Sequence, residues 1–455
     1  MKNHWIFALV TLAILFTGCI YLNDVNQQNP LKQIGNQTQP NTTQNSGEVQ
    51  NALVVKANET PTREIASDII STTQIINKTV EDEKPLLNIS DTKQDTNPVE
   101  NINASFNYPR LSIAQKISNR PYVLSLIIHQ ENQYNLMIIE GEVYNSSPAV
   151  YVSSNGGYSW IKTLGNASLA VHSIEADPSN PNIVYAGTSF ESETGTVTGK
   201  IYKSTNFGMN WGEIATFPGE GVNVIAIDNN ISNKIYAVQR TGNINLGDSG
   251  VHISNNGGTN WTFYSFRLSR TILVWAFSQN INNGYIFLSG EYNNKTHPYN
   301  PPILRSRDHG ITWENIFPSN PWHIYSIVID ERNNIIYFHE EGYNLYKSAD
   351  NGNSIELLNS TTAAAGNIMA FVMAFDNINS ALVLGEMLFP SCINTPSPEC
   401  SDSGRLLVSI NESSTFQPVR NDSLNIVDLD FTRDYNKLYV STYGQGIYVL
   451  KKETN

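Results

Sequence analysis

The sequence predicts an all-β fold: a seven-bladed β-propeller of four-stranded antiparallel blades, closed by an N-terminal strand that completes the last blade and preceded by a disordered tether. Three observations predict it. One phrase, Ser-x-(Asp/Asn)-x-Gly-x-(Ser/Thr/Asn)-aromatic, recurs at Ser153, Ser204, Ser254 and Ser306, with weaker copies at Ser348 and Ser409, at separations of 51, 50, 52, 42 and 61 residues. A spacing of roughly 50 residues is the mark of a repeat array. Each copy stands at the same place among four short apolar runs, and the runs left over at the two chain ends supply one more set of four.

The first element is the N-terminus. Trp5 to Phe16 is an apolar run of 12 residues behind Lys2, and Thr17-Gly18-Cys19 follows it. As a helix the run is about 18 Å long, against a hydrocarbon core of about 30 Å, so residues 1–18 read as an export signal. Small residues leading into a cysteine resemble the lipobox of prokaryotic lipoproteins. That resemblance implies cleavage before Cys19, acylation of its sulfur, and a membrane partner on the outer face of a bacterial or archaeal cell. The residues alone also allow an uncleaved anchor or a plain signal peptide.

The second element, residues 19–105, is rich in Asn, Gln, Thr, Ser, Glu and Asp and nearly free of aromatics. Such a composition cannot bury enough apolar surface to offset ordering entropy. It reads as a tether, and about 86 flexible residues reach on the order of 50 Å. Asn-x-Ser/Thr triplets at Asn36, Asn41, Asn58, Asn77, Asn88 and Asn103, continued in the body at Asn145 and beyond, are possible glycosylation acceptors in an exported chain.

The third element, residues 106–455, is the propeller. "VHSIEADPSNPNIVYAGTS" (171–189) contains an alternating strand, an Asp-Pro-Ser-Asn-Pro turn and a second strand. "KIYKSTN" is a third strand, and a fourth opens at Trp211. The same unit repeats through "VNVIAID", "ILVWAFS", "IYSIVID" and "IMAFVMAFD", and an earlier copy begins near Tyr122. "IVDLDFT", "KLYVSTY" and "GIYVLKK" end the chain as three strands. The run Arg110–Lys116 belongs to no other set and is the strand that closes the ring, which removes unpaired edges.

The recurring phrase is turn chemistry. Asn155, Asn206, Asn256, Asp308 and Asp350 can hydrogen-bond their own turn backbone. Gly157, Gly208, Gly258, Gly310 and Gly352 can take a positive φ. Trp160, Trp211, Trp261 and Trp313 then wedge between blades, each ring worth a few kcal/mol when buried. The phrase resembles the Asp-box, or BNR repeat, of sialidase-type β-propellers, related to those of sortilin-type receptors, xyloglucanases and photosystem II stability factors. The resemblance covers about residues 110–451 and implies architecture at the boxes, not chemistry.

Ligands of such propellers meet the face formed by the loops between strands two and three and between blades. There the second strands end in or near Glu140, Glu191, Glu291, Glu340 and Glu386, with Tyr292 and Tyr443 close by and Trp275, Trp322, His323 and Tyr325 assigned to interblade loops. This is the candidate ligand-binding rim, suited to a sugar chain, a cationic peptide or a divalent ion; the bland alternative is a set of solubilising acidic loop ends. Cys392 and Cys400 remain to form a disulfide in a Pro/Ser-rich loop.

The exclusions are equally specific. A net charge of −13 with no basic stripe argues against nucleic acid. The sialidase arginine triad and Arg-Ile-Pro motif have no counterpart, "YPRLS" (108–112) included. No zinc spacing, phosphate loop or Ser/His/Asp order appears, so no catalytic residue, metal or cofactor is assigned. Two readings result. One is a monomeric, lipid-anchored surface propeller that binds glycan or protein without catalysis. The other is a glycoside hydrolase using two rim carboxylates, which would need to lie about 5–10 Å apart.

Overall fold

Inner strands of branched and small apolar residues recur seven times, each followed by a tight turn and three further strands of decreasing burial. Val123–Ile128, Gly221–Ile227, Ile272–Gln279, Ile324–Asp330 and Ile426–Phe431 are buried along their whole length. The outermost strands Thr262–Ser265, Glu314–Asn315 and Gln417–Pro418 are short and exposed. This gradient is what a wheel of sheets with a dry hub requires. The computed structural model describes residues 108–453, apart from 121, 143–145, 193–195, 220, 241–248, 269–271, 293–302, 318–323, 341–343, 361–367, 389–403, 411–415 and 419–423. The signal, the tether, Cys19, Cys392, Cys400, Trp322 and His323 lie outside the described residues.

There are seven four-stranded antiparallel sheets. Blades 1 to 6 each use four consecutive strands, beginning at Val123, Leu169, Gly221, Ile272, Ile324 and Ile368. Blade 7 takes Ile426–Phe431, Lys437–Thr442 and Gly446–Lys452 from the C-terminus, and Leu111–Ser118 from the N-terminus as its outer strand. Ser112 lies opposite Lys451 and Lys116 opposite Tyr448. The predicted closure is the observed one.

The core is divided among the blade interfaces. One cluster joins blades 7 and 1 through Ile117, Ile138 and Val449, and Trp160 packs against it. The next joins blades 1 and 2 under Trp211. Trp261 and Trp313 lie on the two after that, and Ile355 and Phe416 stand in the same place in blades 5 and 6. Blades 1 to 6 are therefore each pinned to their predecessor by the residue that ends their box.

In every blade the first strand pair contains an extra residue on the inner strand. The bulged residues whose side chains are described are Leu124, His172, Asn223, Trp275, Tyr325 and Val427, all under 9% exposed. Trp275 and Tyr325 are thus inner-strand residues and not the loop residues expected from the sequence. A bulge shifts the alternation by one residue, so a period-2 pattern misplaces every residue beyond the bulge. Their rings lie 5.9 Å apart between blades 4 and 5, and Leu124 and Val427 share a cluster between blades 1 and 7. Near the point where the inner strands start, the hub is lined by shielded side chains.

Candidate ligand-binding rim

Strand direction gives the wheel two faces. One carries the turns between strands one and two and the boxes between strands three and four. The other carries the loops between strands two and three and between blades, and holds the rim.

The turn face is built from two kinds of repeated cap. In each of five boxes the serine Oγ accepts the glycine N–H, at 2.9, 2.8, 2.8, 2.7 and 2.7 Å for Gly157, Gly208, Gly258, Gly310 and Gly352. The same hydroxyl donates to the Asn or Asp side chain, which in turn accepts an N–H four residues ahead of itself, as Asp308 does from Thr312 at 2.8 Å. Gly208 and Gly258 have φ of 76° and 92°, and a Cβ on either would collide with Met137 or Ile214 of the preceding blade. These positions require glycine for conformation and for close approach. The box carboxylates of Asp308 and Asp350 sit below the usual carboxylate range because backbone and side-chain donors outweigh their desolvation.

The second cap lies just past the inner strand. Asp177, Asp228, Asp330 and Asp376 each accept two backbone N–H groups of the turn that they begin. His129 does the same through Nδ1, which places its proton on Nε2, toward Asn182. The residue before the box glycine, held at positive φ in Phe207, His309 and Asn351, reaches back to the previous blade. Phe207 meets the His129 ring edge-on at 4.8 Å, His309 Nδ1 lies 3.1 Å from Asp228 Oδ2, and Asn283 Nδ2 donates to Asn351 at 2.7 Å. At the axis of this face the turn tips enclose a hollow of about 350 Å³, lined by Gln130, Asp177, Asn229, Ile281 and Arg433 among others.

On the rim face the five glutamates occupy corresponding ends of second strands, each from a different blade. The structure gives them different surroundings. Glu140 pairs with Arg120, whose guanidinium lies 4.1 Å above the Tyr151 ring and 5.8 Å from that of Trp160. Glu340 is buried and accepts from Tyr346 at 2.8 Å and Asn344 at 2.5 Å. Glu386 is buried and takes both its oxygens to Arg405, at 2.7 Å each, while the arginine side chain is 46% exposed. Glu191 is exposed at the end of its strand. Glu291 and Tyr292 are strand residues facing Leu273 and Ile272, and their side chains are not among those described. Tyr443 is buried against Tyr122, with the ring centroids 5.1 Å apart.

Arg120 and Arg405, which hold the rim carboxylates, escaped the sequence reading. They stand 20 and 19 residues from their partners, outside the repeated frame, and nothing periodic points to them. Beside Glu340 lies His339, fully buried, its imidazole held neutral by desolvation with a pKa lowered to about 3. Among the described residues no group of three or more His, Cys, Asp or Glu side chains could hold a metal ion, and no helix is long and apolar enough to cross a membrane.

The sequence matches no protein-family model and none of the curated proteins. Solved structures share the fold. A GH74 xyloglucanase from Xanthomonas campestris superposes with a TM-score of 0.55 at 13% identity, over 75% of this chain and 53% of that one. YCF48 from Cyanidioschyzon merolae gives a TM-score of 0.48 at 13% identity, over 75% of this chain and 98% of that one. An ancestral GH74 enzyme gives 0.49 at 14% identity, over 75% and 46%. The chain thus spans about half the length of the xyloglucanase. The likeness is one of fold and singles out no family.

Proposed function

We propose that this protein is a non-catalytic binding module, a propeller held by a lipid on Cys19 at the outer face of a prokaryotic cell membrane, whose rim face takes glycan or protein ligands. One observation carries the reading against hydrolysis. Among the described residues, Glu140, Glu340 and Glu386 each have a partner from their own blade or its lead-in, which commits these carboxylates to the blade that carries them. A hydrolase must aim two carboxyl groups at one glycosidic bond. At Glu386 the part that reaches solvent is instead the Arg405 side chain, whose Nε and Nη2 are given to that carboxylate and whose cationic plane a polar ligand would meet first.

The test uses the full exported chain on a glycan and surface-protein panel, with reducing ends assayed in parallel. Retention without new reducing ends supports the reading. Release of reducing ends that is abolished by Glu291→Gln or Glu340→Gln overturns it in favour of a glycoside hydrolase. Fatty-acid labelling that is lost in Cys19→Ser is the expected result for the anchor, and labelling that persists contradicts it.

A further inference from the structure

We propose that the face carrying the boxes is the membrane-facing side of the wheel, and that the turn tips bearing Tyr134, Tyr158, Met209, Ile231, Ile311 and Ile378 rest in the interfacial layer of a lipid bilayer. The inference rests on the lipid anchor proposed above and deepens it.

Chain direction is the first support. The closing strand Leu111–Ser118 runs antiparallel to Gly446–Lys452, with Leu111 opposite Lys452. It therefore starts at the end where third strands finish, which is the box face. Tyr108, three residues earlier, donates its hydroxyl to Asp376 at 2.9 Å, and Asp376 caps a turn of that same face. A chain held by its N-terminus reaches the propeller on this side.

The second support is the distribution of exposed apolar side chains. Of the eleven large apolar side chains that are exposed among the described residues, Ile113, Ile161, Phe263 and Leu357 lie on outer strands and Val197 on the rim side, and the six tips are 69, 77, 42, 45, 47 and 57% exposed, in the order named. All six lie in turns between strands one and two or between strands three and four, and they come from blades 1, 2, 3, 4 and 6. They form a broken ring around the hollow at the axis. Single exposed apolar residues are ordinary, but the box itself does not demand them: Tyr158, Met209 and Ile311 stand where the other boxes carry Thr259 and Asn353, and of these Tyr158 also accepts from Gln115 at 2.9 Å.

Chemistry selects a lipid surface. Two tips are tyrosines, whose amphipathic rings suit the headgroup level. The others are aliphatic or thioether groups that gain by leaving water. The carboxylates of Asp177, Asp228, Asp308, Asp330, Asp350 and Asp376 are turned to the backbone of their own turns as caps, and Arg433 lines the axial hollow together with Glu131 and Asp177. Neutral lipid suffices, and contact is insensitive to salt. It can also be weak, since tethering supplies a high effective concentration.

The experiment uses the full acylated chain on phosphatidylcholine vesicles doped with a phospholipid that carries a photoreactive carbene precursor near its glycerol. Adducts are located by mass spectrometry after flotation. Labelling of peptides with Tyr134, Tyr158 and Met209 several-fold above the rim-face peptide with Val197 is expected, as is a several-fold loss at the remaining tips in Tyr158→Ser/Ile311→Ser with an unchanged melting curve. A protein that floats but is labelled no more at the tips than at Val197 overturns the orientation and leaves the anchor standing. A protein that does not float overturns both.

Discussion

Asp428 is a residue whose position in the wheel sets its ionisation. It is fully buried where blade 7 meets blade 1, accepts the Leu126 N–H at 2.8 Å, and lies near Asp430. Desolvation raises its pKa to about 8, more than the backbone donors lower it, and Asp430 adds to the rise. An acid raised above its unfolded value stabilises the fold below that value. The contribution is lost as pH climbs from about 4 toward about 8. Asp428→Asn keeps an acceptor for Leu126 and removes the charge. Denaturant unfolding across pH should show a flattened slope in this window and a gain at pH 8 of at most about 5 kcal/mol, the linkage equivalent of the interval from about 4 to about 8. An unchanged slope contradicts the assignment. The box serines invite a second substitution. Ser254 accepts from Asn256 and Gly258 and donates to Asn256. Ser254→Ala should cost about 1–3 kcal/mol, and a loss under about 0.5 kcal/mol would mean that water replaces the hydroxyl there. The boxes were legible because each one needs the same donors and the same φ. Arg405 was not, because an ion pair formed once leaves no repeat.

At the scale of elements, two devices recur and one does not. The box pins each of blades 1 to 6 to its predecessor, and the inner-strand bulge recurs in all seven blades. The first is visible as spelling. The second is not, since a bulge is a matter of register, and Leu124, Asn223, Trp275 and Tyr325 share no side-chain type. The single device is the clasp at the seam. Lys452 of the last strand lies 2.5 Å from the fully buried Asp376, which also receives Tyr108 from the other chain end. Lys452 further covers the rings of Tyr108 and Phe431. The closing strand could be read from a count of runs, whereas its clasp could not, because Tyr108 and Asp376 are 268 residues apart. Removing one partner of a buried pair is costly even where other donors remain, so Lys452→Met should lower the unfolding free energy by about 3 kcal/mol. Lys452→Met/Asp376→Asn should recover part of it. A loss in the double variant equal to the sum of the two single losses would show that the pair is not coupled.

For the whole molecule, the wheel divides labour between its faces. Among the described residues the turn face spends many of its polar side chains on its own backbone, and the rim face pairs Glu140 and Glu386 with arginines. Which loops share a face was legible in the sequence, since strand order alone fixes it. The burial of Glu340 and Glu386 was not, because a glutamate at a strand end reads as solvated until its partner is known. Everything assigned to either face depends on the ring being closed by its own N-terminal strand, so native-state hydrogen exchange of Leu111–Ser118 is the most direct test. The account predicts that its paired amides open only with the same free energy as those of Gly446–Lys452, in the cooperative unit of the whole wheel. Rapid exchange through Leu111–Ser118 while Gly446–Lys452 stays protected would contradict it.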